Sequence, residues 1–449
     1  MITRRTATAG LASTLIGLSR PGLAQPARVS PADQATTLAA RPMPLRLQAV
    51  ASKDADVWAF DGGLGKVVRM KHGAELKLSL VNETPLPLSL HFHGVRGPNA
   101  MDGVGGLTQK PVTTGEKFDY RFTPPDPGTF LIRPCVLGGS AEPLERGLSA
   151  LLIVEEQNPP QVDHDVAVLV DDWRLNEDGS LAPFEKASEP APAGRLGSWL
   201  SVNGKATPQR IEAPPGGRVR LRMANACNAR SMRLRFDRLK AHVIAIDSQP
   251  TDTFEPLRAS LPFGPGTRYD LLIELPPEPG ESGAVMAMIG EGIPLVEIVA
   301  AGERRAPPPI APLKPNTNLP GIIRLQNATR KDVVIKGDPK APKVPWTING
   351  AAGNPSGAPL VKVKRGTPVV LALKNETALV QPLHLHGHAF RLLHALDDGW
   401  EPYFLDTVQA PENRTSRIAF VADNPGRWLL ASTVMERFDA GLWTWIEVT

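Results

Sequence analysis

Hydrophobic and polar residues alternate along this chain in short runs. LRLQAV, ELKLSLVN and ALLIVEE are examples near the start, and VAVLVDDW, RVRLRMAN and RYDLLIEL follow in the middle. Glycine, proline, asparagine or aspartate bounds these runs, and the chain contains 46 prolines and 40 glycines. Alternation interrupted by turn residues is typical of antiparallel β-sandwiches. We therefore predict an all-β protein made of short strands.

One of these runs, ELKLSLVN, belongs to an internal repeat. Residues 73–94 read GAELKLSLVNETPLPLSLHFHG and residues 366–387 read GTPVVLALKNETALVQPLHLHG, and the two align without a gap. Each copy ends in a pair of histidines two positions apart: His91 and His93, then His384 and His386. On a β-strand this spacing puts both imidazoles on one face, and imidazole is the commonest metal ligand. Two pairs in register predict a metal site between duplicated units that pack side by side.

A third copy of the repeat lies in the middle of the chain and lacks the histidines. Asn225 matches Asn82 of the first copy, while Leu234 and Phe236 occupy the histidine positions. A chain of 449 residues is too long to fold around a single hydrophobic core of ordinary size. The repeat and the proline-rich stretches predict three domains and a linker: domains at 41–157, 160–301 and 321–449, and the linker at 302–320. A metal site shared by the first and third domains requires the two ends of the chain to meet.

The N-terminal residues predict export. Arg4 and Arg5 precede a weakly apolar run, and small residues at 22–24 form a cleavage site, so residues 1–24 are predicted to be a signal peptide. The arginine pair favours the twin-arginine route, although Ala7 stands where that signal usually has a bulky apolar residue. No other stretch is long and apolar enough to span a membrane. We expect a periplasmic or secreted protein.

Composition excludes several other classes. Hydrophobic residues make up 42 % and charged residues 21 %, as in a folded globular chain. The net charge of +4 is small and forms no basic patch with interleaved aromatics, so nucleic acid is not an expected partner. Cys135 and Cys227 are the only cysteines, so no disulfide framework holds the fold together. Whether these two thiols are free or bridged stays open.

Several longer motifs resemble those of the multicopper oxidases, the cupredoxin proteins that include laccases and cuprous oxidases. The motifs are HFHGVRGPNAMDGVGGLTQKPV (91–112), DYRFTPPDPGTF (119–130), LERGLSALLIVEE (144–156), LHLHGHAFRLL (383–393), FLDTV (404–408) and ADNPGRWLL (422–430). The resemblance implies three cupredoxin-like (plastocyanin-like) Greek-key β-sandwich domains. It also implies an ancestral oxidoreductase activity, in which a blue copper passes substrate electrons to a trinuclear copper cluster that reduces dioxygen.

The family supplies its copper ligands from four motifs, and the resemblance implies that only part of this set remains. His91 and His384 match the type-2 copper ligands, and His93 and His386 match type-3 ligands. The other ligand positions carry different residues: Arg133 and Cys135 in the second motif, Gln381 in the third, and Ala431, Ser432, Thr433, Arg437 and Leu442 in the fourth.

These replacements remove the blue copper ligands. A blue copper requires a thiolate and two imidazoles, whereas Gln381, Ser432 and Arg437 offer an amide, a hydroxyl and a guanidinium that does not deprotonate. Two of the family's six type-3 imidazoles remain. We therefore expect that ordinary four-copper laccase activity is lost and that the chain is a pseudoenzyme for that reaction; the sequence leaves open whether another enzymatic activity exists.

The residues that remain allow two interpretations of the former cluster. The four histidines can hold one copper ion, or they are relics that hold none. Cys135 is either an additional thiolate ligand or a small buried residue. Asp102 and Glu436 match family acids that relay protons to the cluster, and Arg133 either brings a positive charge into the site or pairs with one of these two acids.

Three functional hypotheses follow. The first is an exported, monomeric copper-binding protein with one residual site between domains 1 and 3. The second is a copper-free scaffold with a periplasmic protein partner, similar to a family branch that supports cell division under stress. The third, a working oxidase that acts with oxygen, conflicts with the missing blue-copper ligands.

Overall fold

The computed structural model describes residues 35–184, 193–340, 345–393 and 399–449. The signal peptide predicted at 1–24 lies outside these residues. Thirty strands and two five-residue α-helices form within the described ranges. The prediction of an all-β chain is confirmed. No helix in these ranges is long and apolar enough to cross a membrane.

The first pair of sheets contains eight strands. They are β1 (Thr36–Pro42), β2 (Trp58–Ala59), β3 (Lys66–Lys71), β4 (Leu76–Asn82), β5 (Leu90–His93), β6 (Lys117–Phe122), β7 (Gly128–Pro134) and β8 (Ala150–Glu155). The sheet orders are β2-β1-β4-β6 and β3-β8-β7-β5. Strand β4 alternates buried and half-buried residues because one face packs on the opposite sheet. All residues of β5 and β7 are buried, so both faces of these strands are covered. A 3₁₀ turn (Asn99–Met101) and helix α1 (Ala141–Glu145) complete this part.

The second pair of sheets contains twelve strands. They are β9 (His164–Trp173), β10 (Trp199–Val202), β11 (Lys205–Ala206), β12 (Gln209–Ala213), β13 (Arg218–Asn225), β14 (Met232–Asp237), β15 (Lys240–Ile246), β16 (Gln249–Phe254), β17 (Ser260–Phe263), β18 (Arg268–Glu274), β19 (Ser282–Ala287) and β20 (Ile293–Ala300). Their orders are β11-β10-β9-β13-β18-β15-β16 and β12-β20-β19-β14-β17. A 3₁₀ turn lies at Leu257–Ala259. Leu234 and Phe236, at the histidine positions of the repeat, lie in the hydrophobic core of this pair.

The third pair of sheets contains ten strands. They are β21 (Thr329–Lys336), β22 (Thr347–Ile348), β23 (Lys362–Val363), β24 (Thr367–Asn375), β25 (Gln381–Leu385), β26 (Arg391–Leu392), β27 (Thr407–Ala410), β28 (Thr415–Ala422), β29 (Gly426–Ser432) and β30 (Trp443–Val448). Their orders are β22-β21-β24-β28-β26 and β23-β30-β29-β25-β27. Helix α2 (Met435–Asp439) lies between β29 and β30. The proline-rich residues that precede this pair, 301–328, contain no strand or helix.

The asparagine of each repeat copy holds the corner between two sheets. In the first copy Asn82 Nδ2 donates to the carbonyl oxygens of Leu86 and Val112, both at 2.8 Å. Its Oδ1 accepts from the backbone N–H of Thr84 at 2.9 Å. Asn225 and Asn375 make equivalent bonds in their own copies. The repeated asparagine therefore satisfies backbone groups where the chain leaves one sheet and enters the opposite one. In the first and third copies, the strand that follows carries the histidines.

Buried charges join the first and second pairs of sheets. Arg220 and Arg222 project from β13, and Glu156 follows β8. Arg220 Nη1 donates to Glu156 Oε2 at 3.1 Å, and Arg222 Nη1 donates to Asp270 Oδ2 at 3.2 Å. Burial alone would raise the pKa of Glu156, but the hydrogen bond and charge of Arg220 lower it to about 2. This network fixes β7, next to β5, against the middle of the molecule.

We predict that Glu156→Gln lowers the free energy of unfolding in a pH-dependent manner. Because the folded-state pKa of Glu156 lies below its ordinary value of 4.5, its contribution is complete above pH 4.5 and is lost as pH falls towards about 2. The loss at neutral pH is on the order of 3 kcal/mol at most. Urea unfolding of both proteins from pH 2 to pH 7 measures it. Glu83→Gln, which removes an exposed partner of Arg41, should cost no more than about 1 kcal/mol. A stability difference independent of pH would contradict the assignment.

Candidate metal centre

The two histidine pairs of the repeat face each other between the first and third pairs of sheets. His91 and His93 lie on β5, while His384 lies on β25 and His386 directly follows it. All four side chains are at most 2 % exposed. The Nε2 atoms of His91 and His384 are 3.3 Å apart. The rings of His91 and His386 stack with centroids 3.8 Å apart, and those of His93 and His384 at 3.7 Å.

Three of the four imidazoles are oriented through Nδ1. His91 Nδ1 donates to the carbonyl oxygen of Asp102 at 2.8 Å, and His384 Nδ1 donates to the carbonyl oxygen of Asp406 at 2.8 Å. His386 Nδ1 donates to the Asp102 carboxylate at 3.0 Å. An acceptor at Nδ1 fixes the tautomer and leaves Nε2 with a free lone pair. This is the arrangement in which proteins present metal-binding histidines.

His93 has the opposite orientation. Its Nε2 lies 2.7 Å from Thr407 Oγ1 and 3.3 Å from Asp406 Oδ1, and its Nδ1 is buried without a hydrogen-bond partner in the described structure. Gly266, with φ of +84°, packs on the ring, and a Cβ there would lie 2.7 Å from His93 Cε1. A glycine is therefore required for this contact. The orphaned Nδ1 is the atom of His93 that is available to a metal ion.

One ion pair supports both His93 and His384. Arg268, on β18 of the second pair of sheets, holds the Asp406 carboxylate with two guanidinium nitrogens, one of them at 3.0 Å. Burial alone would raise the pKa of Asp406, but the charge of Arg268 and bonds from the two histidines hold it well below its ordinary value. Asp247 Oδ1 lies 3.5 Å from Arg268 Nη1. Burial and the charge of Asp406 raise the pKa of Asp247 to about 7.

Burial favours the neutral form of three of the histidines, His93, His384 and His386. Burial lowers the pKa of His384 to about 4 and that of His386 to about 3. Burial, together with the nearby charges of His384 and Arg133, also holds the pKa of His93 well below its ordinary value. Metal ions bind neutral imidazole. These side chains are therefore in the protonation state that ligation requires.

The spacing of the ligand atoms fits one metal ion. Two nitrogens bound to a single ion at about 2.0–2.1 Å in a tetrahedral arrangement lie about 3.3–3.4 Å apart, which matches the separation between His91 and His384. One ligand atom each from His91, His93 and His384 lies within 4.8 Å of the others, and the same holds for His91, Asp102 and His386. The four histidines thus form two overlapping groups that share His91. Such nitrogen donors suit copper or zinc.

Arg133 and Cys135, the residues of the second motif, lie beside this site. Neither belongs to the His91–His93–His384 group or to the His91–Asp102–His386 group. Arg133 lies on β7 directly opposite His91, and Cys135 follows β7. Cys135 packs in a hydrophobic cluster with Leu429 and Phe438, and burial raises the pKa of its thiol. Both cysteines are free and buried. The geometry therefore favours the interpretation of Cys135 as a small buried residue.

Of the two alternatives for Arg133, the ion pair with Asp102 or Glu436 does not form. Asp102 instead contacts His91 and His386. Glu436, on helix α2, accepts a hydrogen bond from Asn228 at 2.7 Å, and within the described ranges it makes no hydrogen bond or ion pair with the four histidines. The pairing of Arg133 with Asp102 or Glu436 is wrong, because both carboxylates are committed to other donors. Only Asp102 of the two acids adjoins the histidines.

Residues at the blue-copper positions form hydrogen bonds with one another and with the backbone. Arg437 Nη1 donates to Gln381 Oε1 at 2.8 Å and to the carbonyl oxygen of Val380 at 2.8 Å. Arg437 Nη2 donates to the carbonyl oxygen of Ala193 at 2.8 Å. Ser432 Oγ accepts from the N–H of Val434 at 3.1 Å. The remaining fourth-motif positions, Ala431, Thr433 and Leu442, are also buried. A guanidinium thus occupies this place, and its donors are satisfied by amide and carbonyl oxygens.

The sequence did not identify every residue that supports the histidines. Asp406 contacts His93 and His384, and it lies with Thr407 in the motif FLDTV, which was the only sequence signal for these two residues. Arg268 and Asp247 come from the second pair of sheets, and nothing in the sequence pattern connects them with the repeat.

The fold and site agree with comparisons to known proteins. Two family models described as multicopper oxidase match residues 46–159 and 315–449. A crystal structure of a multicopper oxidase from Pseudomonas thermotolerans is 30% identical, covers 93% of this chain and 100% of its own, and superposes with a TM-score of 0.82. The predicted cupredoxin-like class is confirmed.

Curated relatives include both oxidases and a cell division protein. The multicopper oxidase MmcO of Mycobacterium tuberculosis is 26% identical over 410 residues, 82% of this chain and 78% of its own. The cell division protein FtsP of Actinobacillus succinogenes is 28% identical over 254 residues, 55% of this chain and 52% of its own length. The chain belongs to the multicopper oxidase family, which implies copper binding.

We predict that Gln381→Ala lowers the free energy of unfolding by about 1–3 kcal/mol. The substitution removes an acceptor from the buried Arg437 guanidinium, and an unsatisfied buried donor costs about that amount. Urea unfolding monitored by tryptophan fluorescence measures the change. Gln409→Ala on the adjacent strand β27 is the control, because its amide makes only a 3.4 Å bond to Thr267. Equal effects of the two substitutions would show that the Arg437 contact contributes no stability.

Proposed function

We propose that the protein is an exported copper-binding member of its family, with one copper ion held between the first and third sandwiches and four-copper oxidase activity lost. The ligands are His91, His93 and His384, with His386 beside them. One observation carries the proposal: each of the four buried rings is oriented through one nitrogen, which leaves the other nitrogen directed towards a shared site or free of a partner.

The surrounding residues orient the histidines, and one of them, Arg268, pairs with the Asp406 carboxylate. Asp102 orients His91 and His386, and Asp406 orients His384 and contacts His93. Arg268 compensates the charge of Asp406, so the carboxylate remains ionised in a buried place. When bound, a copper ion supplies one-electron redox chemistry. The buried histidines exclude bulk water from that ion.

The loss of oxidase activity is proposed from the electron-entry position. The residues at the blue-copper ligand positions include no thiolate or imidazole, and Arg437 places a cation there. In the family the trinuclear cluster receives its electrons from the blue copper, so a chain without that centre has no route for them.

A copper-free interaction protein is the second candidate. The similarity to a cell division protein supports it, as does the buried charge of Arg133 beside the histidines. This candidate would have a periplasmic protein partner. A complex recovered from the native periplasm in equal yield with wild type and His384→Ala would favour it over the copper-binding role.

We predict that the purified mature protein retains about one copper ion after dialysis and shows a type-2 paramagnetic signal. His384→Ala removes the ligand closest to His91 and should abolish the signal. His242→Ala is the control, since His242 lies on β15 against Glu274, away from the site. Paramagnetic resonance and metal analysis check both variants.

One result would contradict the copper site, and another would contradict the loss of oxidase activity. Failure of wild type to retain stoichiometric copper would refute the metal site and favour the copper-free alternative. A blue charge-transfer band with oxygen-dependent oxidation of a phenol or diamine would refute the proposed loss of oxidase activity.

A further inference from the structure

Arg133 is a buried cation without an acceptor. Its side chain is almost entirely buried, with 4 % of the residue exposed. Among the described residues no side chain forms a hydrogen bond or ion pair with it, and the charges of Cys135, Arg268 and Asp406 act on it without direct contact. The guanidinium does not deprotonate in proteins, so it is charged at neutral pH. A buried charge with no partner is unfavourable, so an anion beside Arg133 would be stabilising.

Arg133 lies at the histidine site. It is directly opposite His91 in the pairing of β5 with β7, and residues directly opposite in such a pair project from the same face with Cβ atoms about 4.5–5.5 Å apart. The side chain of Arg133 therefore lies on the same face of this sheet as the imidazole of His91.

The neighbouring carboxylates make their direct contacts with other groups, and the charge of Asp406 reaches Arg133 without an ion pair. Asp406 is held by two nitrogens of Arg268, and Asp102 accepts from His386 and lies against His91. A divalent metal ion at the histidines would add further positive charge near Arg133. Both effects favour an anion that comes from solution.

We propose that the centre binds a small planar inorganic anion of the carbonate or nitrite class between Arg133 and the metal ion. This proposal rests on the proposed copper site. A guanidinium presents parallel N–H donors that match two oxygens of such an anion. The burial of Arg133 and of the four histidines restricts the ligand to a few atoms. The anion thus offsets the positive charges of Arg133 and of the metal ion.

The first experiment uses azide as the probe with copper-loaded protein. Azide titration of wild type should change the copper paramagnetic signal and produce an azide-to-copper absorption band. Arg133→Met should retain copper but bind azide at least tenfold more weakly, with Arg133→Lys between the two. Arg427→Met, which removes a half-buried arginine above Trp445, should leave azide binding unchanged. Equal azide affinity in wild type and Arg133→Met, with copper bound to both, would overturn the proposal and leave the copper site intact.

The second experiment separates this proposal from the metal site. In metal-free protein, bicarbonate should raise the melting temperature of wild type but not that of Arg133→Met. In buffer without bicarbonate, Arg133→Met should melt above wild type, because an apolar side chain removes the cost of the unpaired charge. If wild type binds no copper, the proposed function fails, and the bicarbonate result alone decides whether Arg133 binds an anion. No bicarbonate stabilisation of wild type, or a lower melting temperature for Arg133→Met, would refute that role.

Discussion

The ion pair between Arg268 and Asp406 is the interaction on which the centre depends. Arg268 belongs to the second pair of sheets, whereas Asp406 belongs to the third and contacts histidines from the first and third. The sandwich that carries none of the four site histidines thereby helps to position them. Because the pair is buried, loss of either partner would leave an uncompensated charge beside the imidazoles. Gly266, next to the same strand, gives His93 the space it needs.

The residues at the family's blue-copper positions and those at its cluster positions differ in how their polar groups are bonded. At the blue-copper positions, Gln381 and Arg437 form a hydrogen-bonded pair, and Arg437 also donates to backbone carbonyl oxygens. At the cluster positions, the four histidines have orienting partners, whereas Arg133 has no hydrogen-bond partner among the described residues. A polar network with one unpaired charge lowers the stability of the folded protein. This difference supports a ligand-binding role for the cluster positions.

The repeat shows how local and long-range requirements combine. Its asparagine satisfies backbone groups at the corner between two sheets in all three copies, so it persists where the histidines do not. The histidines depend instead on a partner copy far along the chain. In the second copy Leu234 and Phe236 pack into the core, because no metal site has to be built there. Family membership, shown by comparison with known proteins, agrees with this duplicated design.

The alternation of residues and the repeat determined the β class, the existence of duplicated units and the pairing of His91 and His93 with His384 and His386. These features are periodic or local, and strand geometry translates them directly into faces. Only the tertiary structure decided that Arg268 supports the site, that Cys135 packs among apolar side chains and that Arg133 forms no ion pair with an acid in the described part of the chain. Each depends on which distant strands meet and on which donor reaches a carboxylate first. Buried charges are paired by three-dimensional proximity, which no spacing along one chain encodes.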